Sequence, residues 1–83
     1  MKVHIKYFAS IREDVGCGAE SLDTDASTVA ALRDELVARG GGYAESLARG
    51  RAVRVAINQT LCDESAALLE GAEVAFFPPV TGG

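Results

Sequence analysis

The sequence predicts an α+β fold, in which a mixed sheet of about five strands carries one principal helix packed on one face, with short extra helices beside it. Strand-like alternation of apolar and polar residues occurs at both ends of the chain, and a single long stretch has helical periodicity. The predicted order is β, short α, β, long α, short α, β, β, β. A chain of 83 residues forms one small domain, whose core leaves no room for an enclosed active site.

Two strands are predicted in the first part of the chain. Residues 3–8 alternate, which places Val3, Ile5 and Tyr7 on the buried side and Phe8 on the other. Residues 20–24 alternate more weakly, as is typical of a strand at the edge of a sheet.

A short helix is predicted between these strands, at about 10–15. Ser10 and Glu13 have the spacing of a capping box, in which the two side chains bond the free N–H groups of the first turn. Gly16 suits the left-handed conformation that commonly ends a helix.

The principal helix is predicted to follow a polar N-cap segment at 25–28 and to end at three glycines, 40–42. Its apolar residues recur at the spacing of one helix face. They are Val29, Leu32, Leu36 and Val37.

The second half predicts one more helical turn and three strands. The turn spans 43–48, and the clearest strand spans 51–57, with Val53, Val55 and Ile57 on one face and Arg54 and Ala56 on the other. The remaining features are a turn at 58–59, a short strand at 60–62, a bend at 69–71 and a last strand at 73–77. That strand places Val74 and Phe76 inward, with Phe77 outward.

Charge and composition exclude several classes of protein. The net charge of −4 argues against nucleic acid and anionic membranes as partners. No run of eighteen apolar residues is present, and no apolar signal segment follows Met1, so we expect a cytoplasmic protein. Cys17, Cys62 and the single histidine lack the spacing of a metal site, so we expect two free thiols, whose roles stay open, and no bound metal.

The C-terminal segment FFPPVTGG, residues 76–83, is the most informative part of the chain. A carboxylate that follows two residues without side chains can be threaded into a narrow active site. The stiff Pro78-Pro79 pair precedes it as a spacer. A frayed terminus explains Thr81-Gly82-Gly83, but it does not explain an aromatic pair followed by two prolines. We therefore expect a domain at 1–77 and a flexible tail at 78–83, which can extend ~20 Å.

Apolar residues that face outward predict an interface. By alternation Phe8 and Phe77 point away from the core, and Leu61 is expected on the same side. Exposed aromatic residues that cluster usually mark a binding surface. The alternative is that Phe8 or Leu61 completes a minor core. Among the polar residues, His4 is expected to be a surface residue without a catalytic role. Solvated charges are expected at Asp63, Glu64 and Glu70, and rim contacts or solvated charges at Arg12, Arg49, Arg51 and Arg54.

Four segments resemble the small subunits of molybdopterin synthase, a family of sulfur carriers with the β-grasp, ubiquitin-like fold. They are 8–13 (FASIRE), 28–32 (TVAAL), 58–61 (NQTL) and 71–83 (GAEVAFFPPVTGG). The resemblance covers nearly the whole chain and is most specific in its last dozen residues. The main departure is the glycine-rich loop at 40–42, where this chain is slightly longer.

The resemblance implies a non-catalytic, sulfur-donating subunit of an enzyme complex, with the catalytic residues on the large synthase subunit. A ubiquitin-activating-like partner would use ATP to adenylate the Gly83 carboxylate, and sulfur would replace AMP to give a thiocarboxylate. Sulfur would then pass to cyclic pyranopterin monophosphate within a heterotetramer, and the carrier itself would bind no cofactor. The tail that enters the large subunit would comprise Pro78, Pro79, Val80, Thr81, Gly82 and Gly83. The docking patch would comprise Phe8, Leu61 and Phe77.

Three alternatives share this fold. The chain could carry sulfur for another pathway, such as thiamin or thio-nucleoside synthesis. It could be a ubiquitin-like modifier whose Gly83 is joined to lysines of target proteins. The third alternative is a pure interaction module, for which loss of Gly82 and Gly83 would leave the function unchanged.

Overall fold

Five strands and three helices follow one another in the part of the chain that the computed structural model describes, residues 1–79. They are β1 Lys2–Tyr7, α1 Ala9–Val15, β2 Ala19–Asp23, α2 Val29–Val37, α3 Gly41–Leu47, β3 Arg54–Ile57, β4 Thr60–Cys62 and β5 Glu73–Phe77. This order is the predicted one. The predictions that concern Val80, Thr81, Gly82 and Gly83 lie outside the described residues.

The strands form one mixed sheet in the order β2-β1-β5-β3-β4. The central pair, β1 and β5, is parallel, and every other neighbouring pair is antiparallel. The first and last strands therefore lie side by side, with β2 at one edge as predicted. As a result, the chain leaves β5 from the middle of the sheet, next to the end of β1.

Alternate residues of the central strands form the core, as predicted. Val3 and Ile5 of β1 and Val74 of β5 are fully buried, and Phe76 is 1% exposed. They belong to one cluster with Val29, Leu32 and Leu36 of α2 and with Leu47 of α3. The helices therefore cover one face of the sheet, and the residues between these core positions face the opposite side.

The predicted N-cap of the principal helix is confirmed. Thr28 has extended backbone angles, and its Oγ1 accepts a hydrogen bond of 3.2 Å from the backbone N–H of Ala31. This bond satisfies one of the N–H groups that the first turn of α2 leaves without a partner.

The predicted capping box of the first helix is wrong. Helix α1 begins at Ala9, and its N-cap is Phe8, whose side chain makes no capping bond. Phe8 is held as a continuation of β1, because its N–H donates to the carbonyl of Phe76 at 3.1 Å. The chain turns directly from this strand position into the helix, so Ser10 lies inside α1. Gly16 ends the helix at a φ of 93°, as predicted.

The sequence predicted that the three glycines end α2, and this is only partly correct. Gly40 has a φ of 77° and follows the end of that helix, but Gly41 and Gly42 form the start of α3. A Cβ at Gly42 would overlap the backbone carbonyl of Asp14 in α1. Only glycine therefore lets α3 pack this closely against α1.

We expect Gly42→Ala to destabilise the domain by about 1–3 kcal/mol, because the added methyl group forces the two helices apart. Gly50→Ala is the matched control, since a Cβ at Gly50 would meet no atom within 4 Å. Urea denaturation of both variants measures the effect. Equal stability of Gly42→Ala and Gly50→Ala would show that α1 and α3 do not approach in this way.

Strand β3 is shorter than predicted, and it begins at Arg54 instead of residue 51. Arg54 pairs with Phe77, the last residue of β5, and Val55 pairs with Cys62, the last residue of β4. Residues 51–53 have no partner strand in the described part of the chain, so they do not continue the ladder. The predicted turn at 58–59 is present, with positive φ at both residues (50° and 71°), the conformation that tight hairpins favour.

A carboxylate on the edge strand joins β2 to β1, to α3 and to the turn between α2 and α3, a feature that the sequence did not reveal. Glu20 accepts hydrogen bonds from the hydroxyls of Tyr7 (2.8 Å) and Tyr43 (2.6 Å) and from Arg39 (2.8 Å). Burial alone would raise the pKa of Glu20, but these three donors outweigh it and hold the pKa below its ordinary value. Burial and the neighbouring carboxylate raise the pKa of Tyr7, so its hydroxyl remains a donor.

A buried arginine ties the end of α3 to the following loop. Arg33 of α2 is 3% exposed, and its guanidinium donates to the backbone carbonyls of Leu47 (2.6 Å), Ala48 (2.7 Å) and Arg51 (2.9 Å). It also pairs with the carboxylate of Glu64. The prediction that Glu64 is a solvated loop charge is therefore wrong, because Glu64 balances a buried cation that would otherwise be costly.

Candidate functional site

The candidate site is the helix-free face of the sheet beside the end of β5. Phe77 lies directly opposite Arg54 on β3. On the other side, the parallel register of β1 and β5 pairs Tyr7 with Phe76. Continued by one residue, this register places Phe8 next to Phe77.

Two residues before Phe77 on β5, the same face of the sheet carries small residues. Ala75 pairs with Ala56 on one side and with Lys6 on the other, and Ala56 pairs with Leu61. The alanines form a low floor between the longer side chains at its ends. We call Phe8, Arg54, Ala56, Leu61, Ala75 and Phe77 the sheet-face patch.

The exposure of the three large apolar residues agrees with the predicted alternation, whereas Ala56 of the floor is 8% exposed. Phe8 is 47% exposed and Leu61 66% exposed, so neither completes a minor core. Phe77 is half-buried, whereas its neighbour Phe76 is 1% exposed and belongs to the core. The predicted register of β5, with Phe76 inward and Phe77 outward, is confirmed.

The three predicted docking residues are not all neighbours. Phe8 and Phe77 lie side by side, but Leu61 is on β4, two strands away from Phe77 and one row back. Two strand spacings amount to about 10 Å. Ala56 and Arg54 of β3 fill this interval, so the patch is wider than the sequence indicated and contains a cation.

The start of the tail, after Phe77, is held in place by aromatic packing on the core side of the sheet. The ring of Phe76 stacks on that of Tyr7, with centroids 6.4 Å apart. Pro78 and Pro79 follow β5 without regular structure and are half-buried. Val80, Thr81, Gly82 and Gly83 lie outside the described residues. The tail therefore starts from a rigid, central point of the domain.

Two positive side chains of this face, Lys6 and Arg54, lie next to Ala75 and Phe77, and they differ in their surroundings. Lys6 is paired with Glu73, with its Nζ 3.3 Å from a carboxylate oxygen. Arg54 is exposed, and none of the carboxylates in residues 1–79 lies within 4.0 Å of its guanidinium. An open groove of about 440 Å³ adjoins it, lined by Arg54, Leu61 and Asp63 together with Val53, Val55 and Cys62.

The remaining candidate groups lie apart from one another. His4 is exposed on the same face, where its Nδ1 lies 2.6 Å from the hydroxyl of Ser21. Cys17 and Cys62 are free thiols, as predicted, and burial raises the pKa of Cys62. Residues 1–79 contain no cluster of three side chains that could hold a metal ion. No helix in this part of the chain is long and apolar enough to cross a membrane.

Comparison with known proteins identifies relatives that match over nearly the whole chain. The molybdopterin synthase sulfur carrier subunit of Haemophilus influenzae is 43% identical over 81 residues, which cover 98% of this chain and 99% of that protein. The crystal structure of the small archaeal modifier protein SAMP1 from Haloferax volcanii superposes with a TM-score of 0.78 at 30% identity and covers 100% of both chains.

A third relative is part of a complex. The protein–protein complex of subunits 1 and 2 of molybdopterin-converting factor from Helicobacter pylori contains a chain that matches with a TM-score of 0.70 at 27% identity, with 100% of both chains covered. Together with the sheet order and the helices on one face, these structures confirm the predicted β-grasp, ubiquitin-like fold. The sequence model of the ThiS family matches residues 5–83, and the chain therefore belongs to this family.

Proposed function

We propose that this protein is the sulfur carrier subunit of a molybdopterin synthase and carries sulfur as a thiocarboxylate on Gly83. The observation that supports this most is the 43% identity to a sulfur carrier subunit of that enzyme over 98% of the chain. The match runs over nearly the full length of both proteins, and this chain ends in Gly-Gly.

The chemistry requires an activated carboxylate. An ordinary carboxylate is a poor electrophile, because its anionic oxygen leaves reluctantly and its charge repels a nucleophile. An adenylating partner would transfer AMP from ATP to the Gly83 carboxylate and release pyrophosphate. A sulfur donor would then displace AMP to leave the thiocarboxylate, so that one difficult substitution becomes two easier ones. This chain would supply the acyl group and its delivery, while both partners supply the catalytic residues.

The fold suits delivery of that group. The tail begins beside the central strand pair, and the six residues from Pro78 to Gly83 can extend ~20 Å. The prolines limit the entropy lost when the tail is ordered, and the glycines have no Cβ to obstruct a narrow channel. The tail can therefore reach a buried site while the domain remains on the partner's surface.

We propose that the sheet-face patch is the surface that docks on the large subunit, in a heterotetramer in the cytoplasm. The related chain from Helicobacter pylori occurs in a complex with subunit 2 of its converting factor. The patch surrounds the start of the tail, so a partner that covers it also receives Gly83. The same face is available to the adenylating enzyme at another stage.

We expect Phe77→Ala to weaken binding to the large subunit by about 2 kcal/mol or more, roughly thirtyfold, because an aromatic anchor near the centre of an interface is lost. Leu69→Ala is the matched control, since Leu69 is an apolar residue 73% exposed and outside the patch. Calorimetric titration with the large subunit from the same genome measures both. Equal affinity of the two variants would place the docking surface elsewhere.

A second candidate function is protein modification, which the similarity to the small archaeal modifier protein favours. In that case the activated Gly83 would form amide bonds with lysines of other proteins. The two functions differ in their products, since a modifier accumulates as conjugates of higher mass and a carrier as a thiocarboxylate of the free chain.

A further inference from the structure

Arg54 carries a charge inside a surface that docking would bury, and this inference rests on the function proposed above. Arg54 lies opposite Phe77, where directly paired residues have Cβ atoms about 5 Å apart. Leu61 lies beyond it on β4. A partner that packs on Phe77 and Leu61 therefore also covers the guanidinium between them.

The chain does not provide a carboxylate for this charge within residues 1–79. Lys6, the cation next to Ala75 on this face, is paired with Glu73 at 3.3 Å. Asp63 lines the same groove as Arg54 but forms no ion pair with it. A buried charge without a counter-charge is strongly unfavourable, and an arginine presents a planar fork of N–H donors that matches a carboxylate.

We propose that Arg54 is a specificity-determining residue of the docking surface, and that the large subunit places an Asp or Glu carboxylate against it. The open groove of about 440 Å³ beside Arg54 and Leu61 gives such a side chain room to enter. The partner surface is then an apolar pocket for the aromatic pair Phe8 and Phe77 with an acidic residue at its border. Partners with a neutral or basic residue at that position bind poorly, because the guanidinium is desolvated without compensation.

The direction in which one substitution changes the affinity for the large subunit tests this inference. Arg54→Met removes the charge but keeps an apolar side chain of similar length. If the partner presents a carboxylate, the loss leaves that group unpaired, and we expect affinity to fall at least about tenfold, with a larger fall for Arg54→Glu. We also expect the affinity of Arg54→Met to depend less on salt than that of the wild type. Titration calorimetry with the purified large subunit at two salt concentrations measures both effects.

Lys2→Met is the matched control. It makes the same change in net charge as Arg54→Met, on the same face of the sheet. Lys2 lies six residues from Phe8, however, which is about 20 Å along β1. We expect its affinity to remain within about twofold of wild type, since at this distance the charge is largely screened. Thermal melts verify that each variant is folded, and Arg54 is exposed, so a loss of stability is not expected.

The outcomes are distinct. Weaker binding by Arg54→Met, with Lys2→Met unchanged, supports the inference. Unchanged or tighter binding by Arg54→Met overturns it and leaves the proposed function intact, because removal of an uncompensated charge favours docking. If Lys2→Met loses as much as Arg54→Met, the effect is one of net charge and the inference is also overturned. If the wild-type chain does not bind the large subunit at all, the proposed function fails and the inference fails with it.

Discussion

Removal of Gly83 is expected to abolish thiocarboxylate formation while the stability of the domain stays within error of wild type. The core is complete at Phe76 and the last strand ends at Phe77, so the described fold does not depend on the terminal residue. Under the proposed function the chemistry depends on it completely, because the shortened tail would present its carboxylate one residue, about 3.3 Å, too early. A displacement of this size is large compared with the tolerance of a reacting geometry.

Three measurements on the same sample test this prediction. ATP–pyrophosphate exchange with the adenylating enzyme reports activation of the carboxylate, the intact mass after addition of a sulfur donor reports the thiocarboxylate, and a thermal melt reports the fold. Leu69→Ala, which keeps the terminal carboxylate, is the control for handling and folding. A truncated chain that still formed a thiocarboxylate would contradict the proposed role of Gly83.

The largest effect on stability is expected from Phe76→Ala, at ~3–5 kcal/mol. Phe76 is 1% exposed, pairs with Val55 and with Tyr7 in the sheet, and stacks on the ring of Tyr7. Its loss leaves a cavity between the central strands and the helices. A small domain has only about 5–10 kcal/mol of stability, so we expect this variant to lose a large part of it and to unfold at a markedly lower temperature than the wild type.

Phe77→Ala is the natural comparison, because the same side chain is removed one residue further along the same strand. It lies on the opposite face and is half-buried, so we expect a much smaller loss of stability than for Phe76→Ala. Urea denaturation of the pair measures the difference. If Phe77→Ala unfolded the domain and Phe76→Ala did not, the register of β5 would be shifted by one residue, and the sheet-face patch would point into the core.

Much of the fold could be predicted because local patterns of apolar and polar residues determine the strands and helices. Alternation placed Val3, Ile5, Val74 and Phe76 correctly, since a strand with one buried face must repeat every two residues. The features that were missed depend on contacts between distant parts of the chain. Glu20 has the pattern of an ordinary strand residue, and its three donors reach it only because β1, α3 and the turn before α3 pack around it. Gly42 is required by a helix crossing that no local pattern records.

The candidate site divides in the same way. Exposure of Phe8 and the outward direction of Phe77 follow from alternation alone. The position of Leu61 relative to them depends on the order of the strands, and β5 separates β1 from β3 in the sheet. The same order places Arg54 within the patch, where the sequence left open whether it is a rim contact or a solvated charge. The chemistry assigned to Gly83 rests on the sequence of the tail and on the relatives of the chain.

The most direct test of the proposed function is the intact mass of the protein after incubation with ATP, a sulfur donor and the adenylating enzyme from the same genome. The function predicts a mass gain equal to the replacement of one oxygen by one sulfur, located in the C-terminal peptide that ends at Gly83. It also predicts that addition of the large subunit and its pterin substrate returns the mass to its starting value. An unchanged mass throughout, or accumulation of the chain only as conjugates to lysines of other proteins, would contradict the assignment as a sulfur carrier.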